Sequence, residues 1–132
     1  DYDIDEKEEV GNGRFGIVMK AVNRKSKKTV AVKKILKKGM DPGMLQRVQK
    51  EIDIMKMIDH KNVIQFYNVY ESKQNTYIVM ELVTGGELLD RVIDKDHYTE
   101  MEAAKCFCQI ISAVAYLHAK GIVHRDIKPD NI

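Results

Sequence analysis

The sequence predicts an α+β fold: a small antiparallel sheet with one helix, a glycine-rich break, then the start of a helical segment. Three observations predict it. Stretches rich in Val, Ile and aromatic residues cluster in residues 1–83. A single apolar stripe at helical spacing interrupts them. Beyond "TGGE" at 84–87 the apolar spacing is helical.

Each element has its own signal. Residues 15–22, "FGIVMKAV", and 29–35, "TVAVKKI", read as strands, because branched and aromatic side chains suit a pleated surface. The polar "NRKSKK" between them reads as a turn. Asp41 before Pro42 marks a helix start, with the carboxylate as cap and proline at the first helical position. Leu45, Val48, Ile52, Met55 and Ile58 follow at steps of three and four, giving one buried stripe. "VIQFYNVY" (63–70) and "TYIVMELV" (76–83) read as two more strands, joined by the short loop "ESKQN". After the glycines, Leu88, Leu89, Val92 and Ile93 suggest a short helix. Thr99 and Glu102 have capping-box spacing. Phe107, Ile110, Ile111, Val114 and Leu117 continue a long amphipathic helix, and Gly121 would stop it. The opening "DYDIDEKEE" reads either as a linker or as an acidic lead-in to the first strand.

Composition bounds the function classes. The chain has 132 residues, 44% hydrophobic, enough for one core. Its net charge of +2 gives no global case for nucleic acid or an anionic membrane as partner. The charge is unevenly placed: residues 1–9 hold six acids, and residues 20–38 hold nine Lys or Arg and no acid. That basic run reads as solvated strand and loop surface, or as a surface from which one or two lysines face a phosphate. Cys106 and Cys108, two apart on a helix, point to nearly opposite sides and make a poor metal pair. So few thiols suit a reducing compartment. With no signal peptide and no membrane-spanning apolar run, a cytoplasmic location is expected.

Three constellations carry chemistry. In "GNGRFGIV", Gly11, Gly13 and Gly16 allow a backbone to approach phosphates and aim its N–H groups at them. A plain glycine-rich turn between strands is the bland alternative. The dinucleotide fingerprint is disfavoured, because a strand follows where a helix should open and no acid lies about 20 residues on. In "VAVKK", Lys33 sits in an apolar strand while Lys34 alternates to the other face. A lysine snorkelling at a strand end would explain Lys33. An anion would explain it better, and Glu51, beside Ile52 on the helix, is within reach as a partner. In "HRDIKPDN", Asp126 can accept a hydroxyl proton, Lys128 can neutralise a migrating phosphoryl group, and the Asn131 amide oxygen is a hard ligand for Mg²⁺. A charged surface turn is the alternative there.

These signals follow one order: glycine-rich loop, strand lysine, helix glutamate, hairpin, "VMELVTGGE", long helix, "HRDIKPDN". The sequence thereby resembles the N-terminal part of a eukaryotic-type protein kinase domain over essentially its whole length. The resemblance implies a protein-kinase-like fold and the following roles. Gly11, Asn12, Gly13 and Gly16 would form the loop over the ATP phosphates. Val18 and Ala31 would line the adenine, with Met80 at the back of the pocket. Lys33 would hold the α- and β-phosphates and pair with Glu51. Glu81 and Val83 would offer hinge backbone groups to adenine. Glu87 would touch ribose, and in basic-directed kinases a substrate arginine. Asp126 would be the catalytic base, Lys128 the γ-phosphate lysine, Asn131 a Mg²⁺ ligand, and Arg125 the partner of an activation-loop phosphate.

Lys128 followed by Pro129 resembles the Ser/Thr-specific version. "GGELLDRV" and "GIVHRDIKPDN" look most like calcium/calmodulin-dependent and calcium-dependent protein kinases. That implies protein substrates with basic residues nearby, and a calcium sensor, calmodulin or fused EF-hands, in the parent. "DKDHYTE" itself is no EF-hand loop, since Tyr98 and Thr99 stand where a ligand and a glycine belong. The lobes are expected at 1–83 and 88–132, with a hinge at 84–87. The family pattern continues to a "DFG", absent from 1–132. A fragment of an active Ser/Thr kinase, inactive by itself, is therefore expected. A non-catalytic nucleotide-binding or interaction module is the alternative. Apolar surface left open on the 99–120 helix is expected to cause association.

Overall fold

A computed structural model describes residues 1–13 and 16–132 of the chain. Phe15, at the head of a predicted strand, lies outside the described residues. So do the side chains of Glu6 and Asn12. Two compact units are present: Asp1–Asp59 with Ile64–Leu82, and His60–Val63 with Val83–Ile132.

The first unit is a five-stranded antiparallel sheet with one helix. Its strands are β1 (Tyr2–Gly13), β2 (Gly16–Asn23), β3 (Thr29–Leu36), β4 (Phe66–Glu71) and β5 (Asn75–Met80), in spatial order β1-β2-β3-β5-β4. The acidic opening belongs to β1 and is no linker. It pairs with β2, and two ion pairs join the acidic run to the basic one: Arg24, in the turn after β2, meets Asp3 at 2.7 Å, and Lys20 meets Glu8 at 2.9 Å. The predicted strands at 63–70 and 76–83 are shorter and shifted in the structure, because their ladder runs only between Phe66–Glu71 and Asn75–Met80.

Strand alternation gives the sheet two faces. On one, Ile35 and Ile78 pack against Val48 and Ile52 of helix α1 (Pro42–Met57). Burying each such side chain is worth about 1.5–3 kcal/mol. On the other face, Ala21, Val30, Val32 and Val79 are covered by Tyr2, Tyr67, Tyr70 and Tyr77. The predicted α1 stripe is narrower than expected, since Leu45 remains 38% exposed. Asp41 caps the helix by accepting from Met44 N at 2.9 Å, with Pro42 in the first turn.

The second unit holds α2 (Leu88–Asp94), α3 (Glu100–Ala119) and a single 3₁₀ turn, Pro129–Asn131. The Thr99–Glu102 capping box opens α3. The helix ends at Gly121, φ +72°, where Gly121 N–H bonds His118 O and Ile122 N–H bonds Leu117 O, both at 2.9 Å. That is a Schellman stop, which needs a residue free to adopt positive φ. Of the predicted α3 stripe only Leu117 is fully buried; Phe107 is 62% exposed and Ile111 47%. The segment 60–63 precedes β4 in sequence but belongs with α3: His60 meets Ser112 Oγ at 3.2 Å, stacks on Tyr116 at 4.9 Å, and Asn62 Nδ2 donates to Gln109 O at 3.2 Å. Where the sequence expects a lobe ending at 83 and a hinge at 84–87, the first unit ends at Leu82.

Candidate active site

The first set of candidate residues lies on one face of the first unit. Directly opposed residues in an antiparallel ladder share a face. Val18 opposes Lys33, Lys33 opposes Ile78, and Ala31 opposes Met80. Val18, Ala31, Lys33 and Met80 therefore stand on the side that carries α1. Lys34 opposes Tyr77 and stands on the other side. Lys33 Nζ lies 3.4 Å from Glu51 Oε1 on α1. The Lys33 side chain is 18% exposed and that of Glu51 44%. A pair this open contributes under about 1 kcal/mol to stability. Its weight is in orientation: it holds a cation at the edge of an apolar face.

The described part of the glycine-rich segment lies on paired ends of β1 and β2, where Gly11 opposes Val18 and Gly13 opposes Gly16. Its glycines are not equivalent. A Cβ on Gly11 would meet nothing within 4 Å, whereas one on Gly16 would lie 2.0 Å from the Lys34 carbonyl oxygen. Gly16 is thus required by the close approach of β2 to β3. Next to β5, Glu81 N–H donates to Gln65 O at 2.8 Å, and its carboxylate accepts from Gln65 N at 3.1 Å. With its N–H so engaged, its carbonyl is the backbone group suited to meet a ligand.

The second set lies in the second unit. Val83 is 54% exposed. Glu87 is the N-cap residue of α2 and makes no side-chain capping bond, so its carboxylate is not spent on the helix. Arg91 Nε–H reaches back from α2 to donate to Gly85 O at 2.8 Å.

In the loop after α3, Arg125 takes a left-handed φ of +67°. A non-glycine residue there carries about 1–3 kcal/mol of strain, which is commonly found at functional sites. The turn lets Asp126 N–H donate to His124 Nδ1 at 3.2 Å. Asn131 Nδ2 donates to both the main-chain oxygen and Oδ2 of Asp126, each at 2.8 Å. The 3₁₀ turn at Pro129 brings Asn131 back onto Asp126. Lys128 Nζ lies 3.4 Å from Asp130 Oδ2. Asp126 is thus tied to His124 and Asn131, and Lys128 pairs with Asp130 beside it. The Arg125 backbone and the Arg91 contact were not foreseeable from the sequence, since neither follows from local spacing.

Since Asn131 turns its amide nitrogen to Asp126, its amide oxygen is left for a hard cation. Among the described residues no group of three or more His, Cys, Asp or Glu forms a metal cluster.

Comparison with known proteins agrees with this geometry. Residues 4–132 match the family model for the protein kinase domain. Calcium-dependent protein kinase 5 of Plasmodium berghei (strain Anka) is 45% identical over 131 residues, covering 99% of this chain and 23% of that protein. Myosin light chain kinase A of Dictyostelium discoideum is 42% identical over 126 residues, 96% of this chain and 43% of that protein. Calcium/calmodulin-dependent protein kinase type 1B of Rattus norvegicus is 45% identical over 131 residues, 99% of this chain and 37% of that protein. The chain spans less than half the length of each. With the sheet-and-helix unit, the Lys33–Glu51 pair and the 124–131 loop all matched within one family model, the chain belongs to the protein kinase domain family.

Proposed function

We propose that this chain supplies the ATP-binding face and catalytic loop of a protein Ser/Thr kinase, which moves the γ-phosphoryl of MgATP to a Ser or Thr hydroxyl. The observation that carries this reading is the Asp126–Asn131 clamp. A carboxylate with one oxygen fixed by an amide N–H presents the other to a substrate hydroxyl, and the same amide keeps its oxygen for a metal ion. Lys33, aimed by Glu51, would draw the α- and β-phosphates. Gly11, Asn12, Gly13 and Gly16 would bring backbone N–H groups over them. Val18, Ala31 and Met80 would form an apolar wall suited to adenine, and the Glu81 carbonyl and Val83 backbone would offer it hydrogen bonds. Lys128 would leave Asp130 for the γ-phosphate. Arg125 would meet a phosphate on an activation loop. Bound Mg²⁺ would neutralise phosphate charge. Positioning and electrostatics, rather than covalent chemistry, would carry the rate.

Glu87 favours peptides with basic residues near the acceptor. The kinship with calcium-dependent and calcium/calmodulin-dependent kinases supports a calcium-sensing partner such as calmodulin or fused EF-hands. No helix among the described residues is long and apolar enough to cross a membrane. A cytoplasmic setting, where ATP and calcium sensors meet, fits that reading.

Within these 132 residues no "DFG" supplies a second metal-ligating Asp. The chain alone is therefore expected to bind ATP weakly and to transfer no measurable phosphate. Where the coding sequence continues past Ile132 to a "DFG", the extended protein should phosphorylate a Ser-containing peptide. Asp126→Asn should then lower kcat by about 10²–10⁴-fold, the worth of a general base. Undiminished turnover in that variant would remove Asp126 from the chemistry. ATP binding without turnover in the extended wild type would favour the non-catalytic module.

A further inference from the structure

The hinge "VTGGE" places two adjacent glycines directly before Glu87, and Gly86 takes φ +74°. Glycine loses more backbone freedom on ordering than any other residue. A side chain aimed from such a segment needs something to hold the backbone. In this structure Arg91 fills that place. Its Nε–H donates to Gly85 O at 2.8 Å. Its Nη2 would lie 3.9 Å from a Cβ placed on Gly85, so the guanidinium lies along the glycine. Its own backbone N–H donates to Glu87 O at 3.2 Å. That last bond is the first turn of α2 and ties Glu87 to the helix, while the Arg91 side chain ties Gly85 on the far side of Gly86. The helix that carries Arg91 is itself fixed: Leu88 N–H donates to Ile132 O at 2.7 Å, directly after the loop that holds Asp126 and Asn131. The contacts run unbroken from that loop through α2 to the glycines.

We infer that Arg91 is a positioning residue: it orders Gly85–Glu87 and so sets where the Glu87 carboxylate stands for the ribose hydroxyls of a nucleotide. The ordering stands on the contacts above; the ribose end rests on the nucleotide reading. A guanidinium suits the task because its planar donors keep a fixed direction, where a lysine would offer a rotating point charge. Arg91 is exposed, so its loss leaves the core untouched.

The test has two arms. In ¹⁵N-labelled protein, the backbone order parameters of Gly85, Gly86 and Glu87 are compared between wild type and Arg91→Ala. They are expected to fall from near the rigid value of about 0.85 to below about 0.6. This arm needs no nucleotide, so it decides the ordering even if ATP fails to bind. In the second arm, affinities for ATP and for 2′,3′-dideoxy-ATP are measured in wild type, Arg91→Ala and Glu87→Ala. Wild type should prefer ATP, and both variants should lose about three- to tenfold in ATP affinity, the worth of one polar contact, with the dideoxy affinity unmoved. Unchanged order parameters in Arg91→Ala overturn the inference whatever the nucleotide data. Equal losses for both nucleotides also overturn it, since Arg91 would then act on the fold at large. If order falls and the ATP preference persists in Glu87→Ala, the ordering by Arg91 stands and the ribose half of the inference is overturned.

Discussion

Gly16 and Gly11 look alike in the glycine-rich segment and do different physical work. Replacing Gly16 by Ala drives a methyl to 2.0 Å from the Lys34 carbonyl oxygen, against backbone that cannot swing away. Overpacking of this kind typically costs about 1–3 kcal/mol. Gly11→Ala meets open space, so its stability should change by less than about 0.5 kcal/mol. Thermal or urea unfolding of the two variants should separate them clearly. Nucleotide affinity should fall in both, and only Gly11→Ala then reports on the phosphates, because Gly16→Ala also disturbs the strands. Equal destabilisation by the two substitutions would contradict this division. The sequence marks both positions as glycine and offers no means of ranking them. The distinction resides in a distance between β2 and β3.

Among the elements, α3 depends on acidity at its first turn. Lys95 Nζ holds Glu102 Oε1, and Thr99 N–H donates to Glu102 Oε2 at 3.0 Å. The Lys95 ammonium first, then the Thr99 backbone and hydroxyl, pull the Glu102 carboxyl down from 4.5 to about 2. A carboxyl depressed on folding stabilises fully above its unfolded value and loses that contribution as pH falls. The first turn of α3 should therefore hold above pH 4.5 and loosen between 4.5 and about 2. The Thr99 amide resonance should titrate with a midpoint near the lower value, and Glu102→Gln should abolish that titration. A midpoint near 4.5 would contradict it. This element was legible in the sequence: the Thr-x-x-Glu spacing, the helical stripe and Gly121 each carry a local physical signal. Asp41–Pro42 was legible for the same reason. The strand ends were not, because a ladder ends where its partner ends, and that information is non-local. The five acids and lysine around Glu8 concealed β1 by the same mechanism. Their partners, Lys20 and Arg24, lie on β2 and in the turn after it. The candidate site divided in the same way. Lys33, Glu51, Asp126 and Asn131 could be named from residue type and order, whereas the Arg125 backbone and the Arg91 contact arise only once distant segments meet.

At the scale of the molecule, apolar surface sets behaviour in solution. On α3, Met101 is 69% exposed, Phe107 62% and Ile111 47%. Residues of this size open on one helix favour association. The 132-residue chain should show concentration-dependent mass in light scattering, and Phe107→Gln should reduce it. A monomer at all concentrations would show that these side chains do not drive assembly.

His60–Val63 belongs with α3 although α1 and β4, its neighbours in sequence, belong to the sheet. The polypeptide therefore changes unit three times: after Asp59, after Val63 and after Leu82. Two bodies threaded in this way cannot be separated by one cut. A peptide ending at Leu82 would strand His60 and Asn62 without Ser112, Tyr116 and Gln109. One beginning at Val83 would leave α3 without the four residues that dock on it. Dissection at the glycines, where the sequence invites it, would remove partners from both halves, and the units are better treated as parts that mature together.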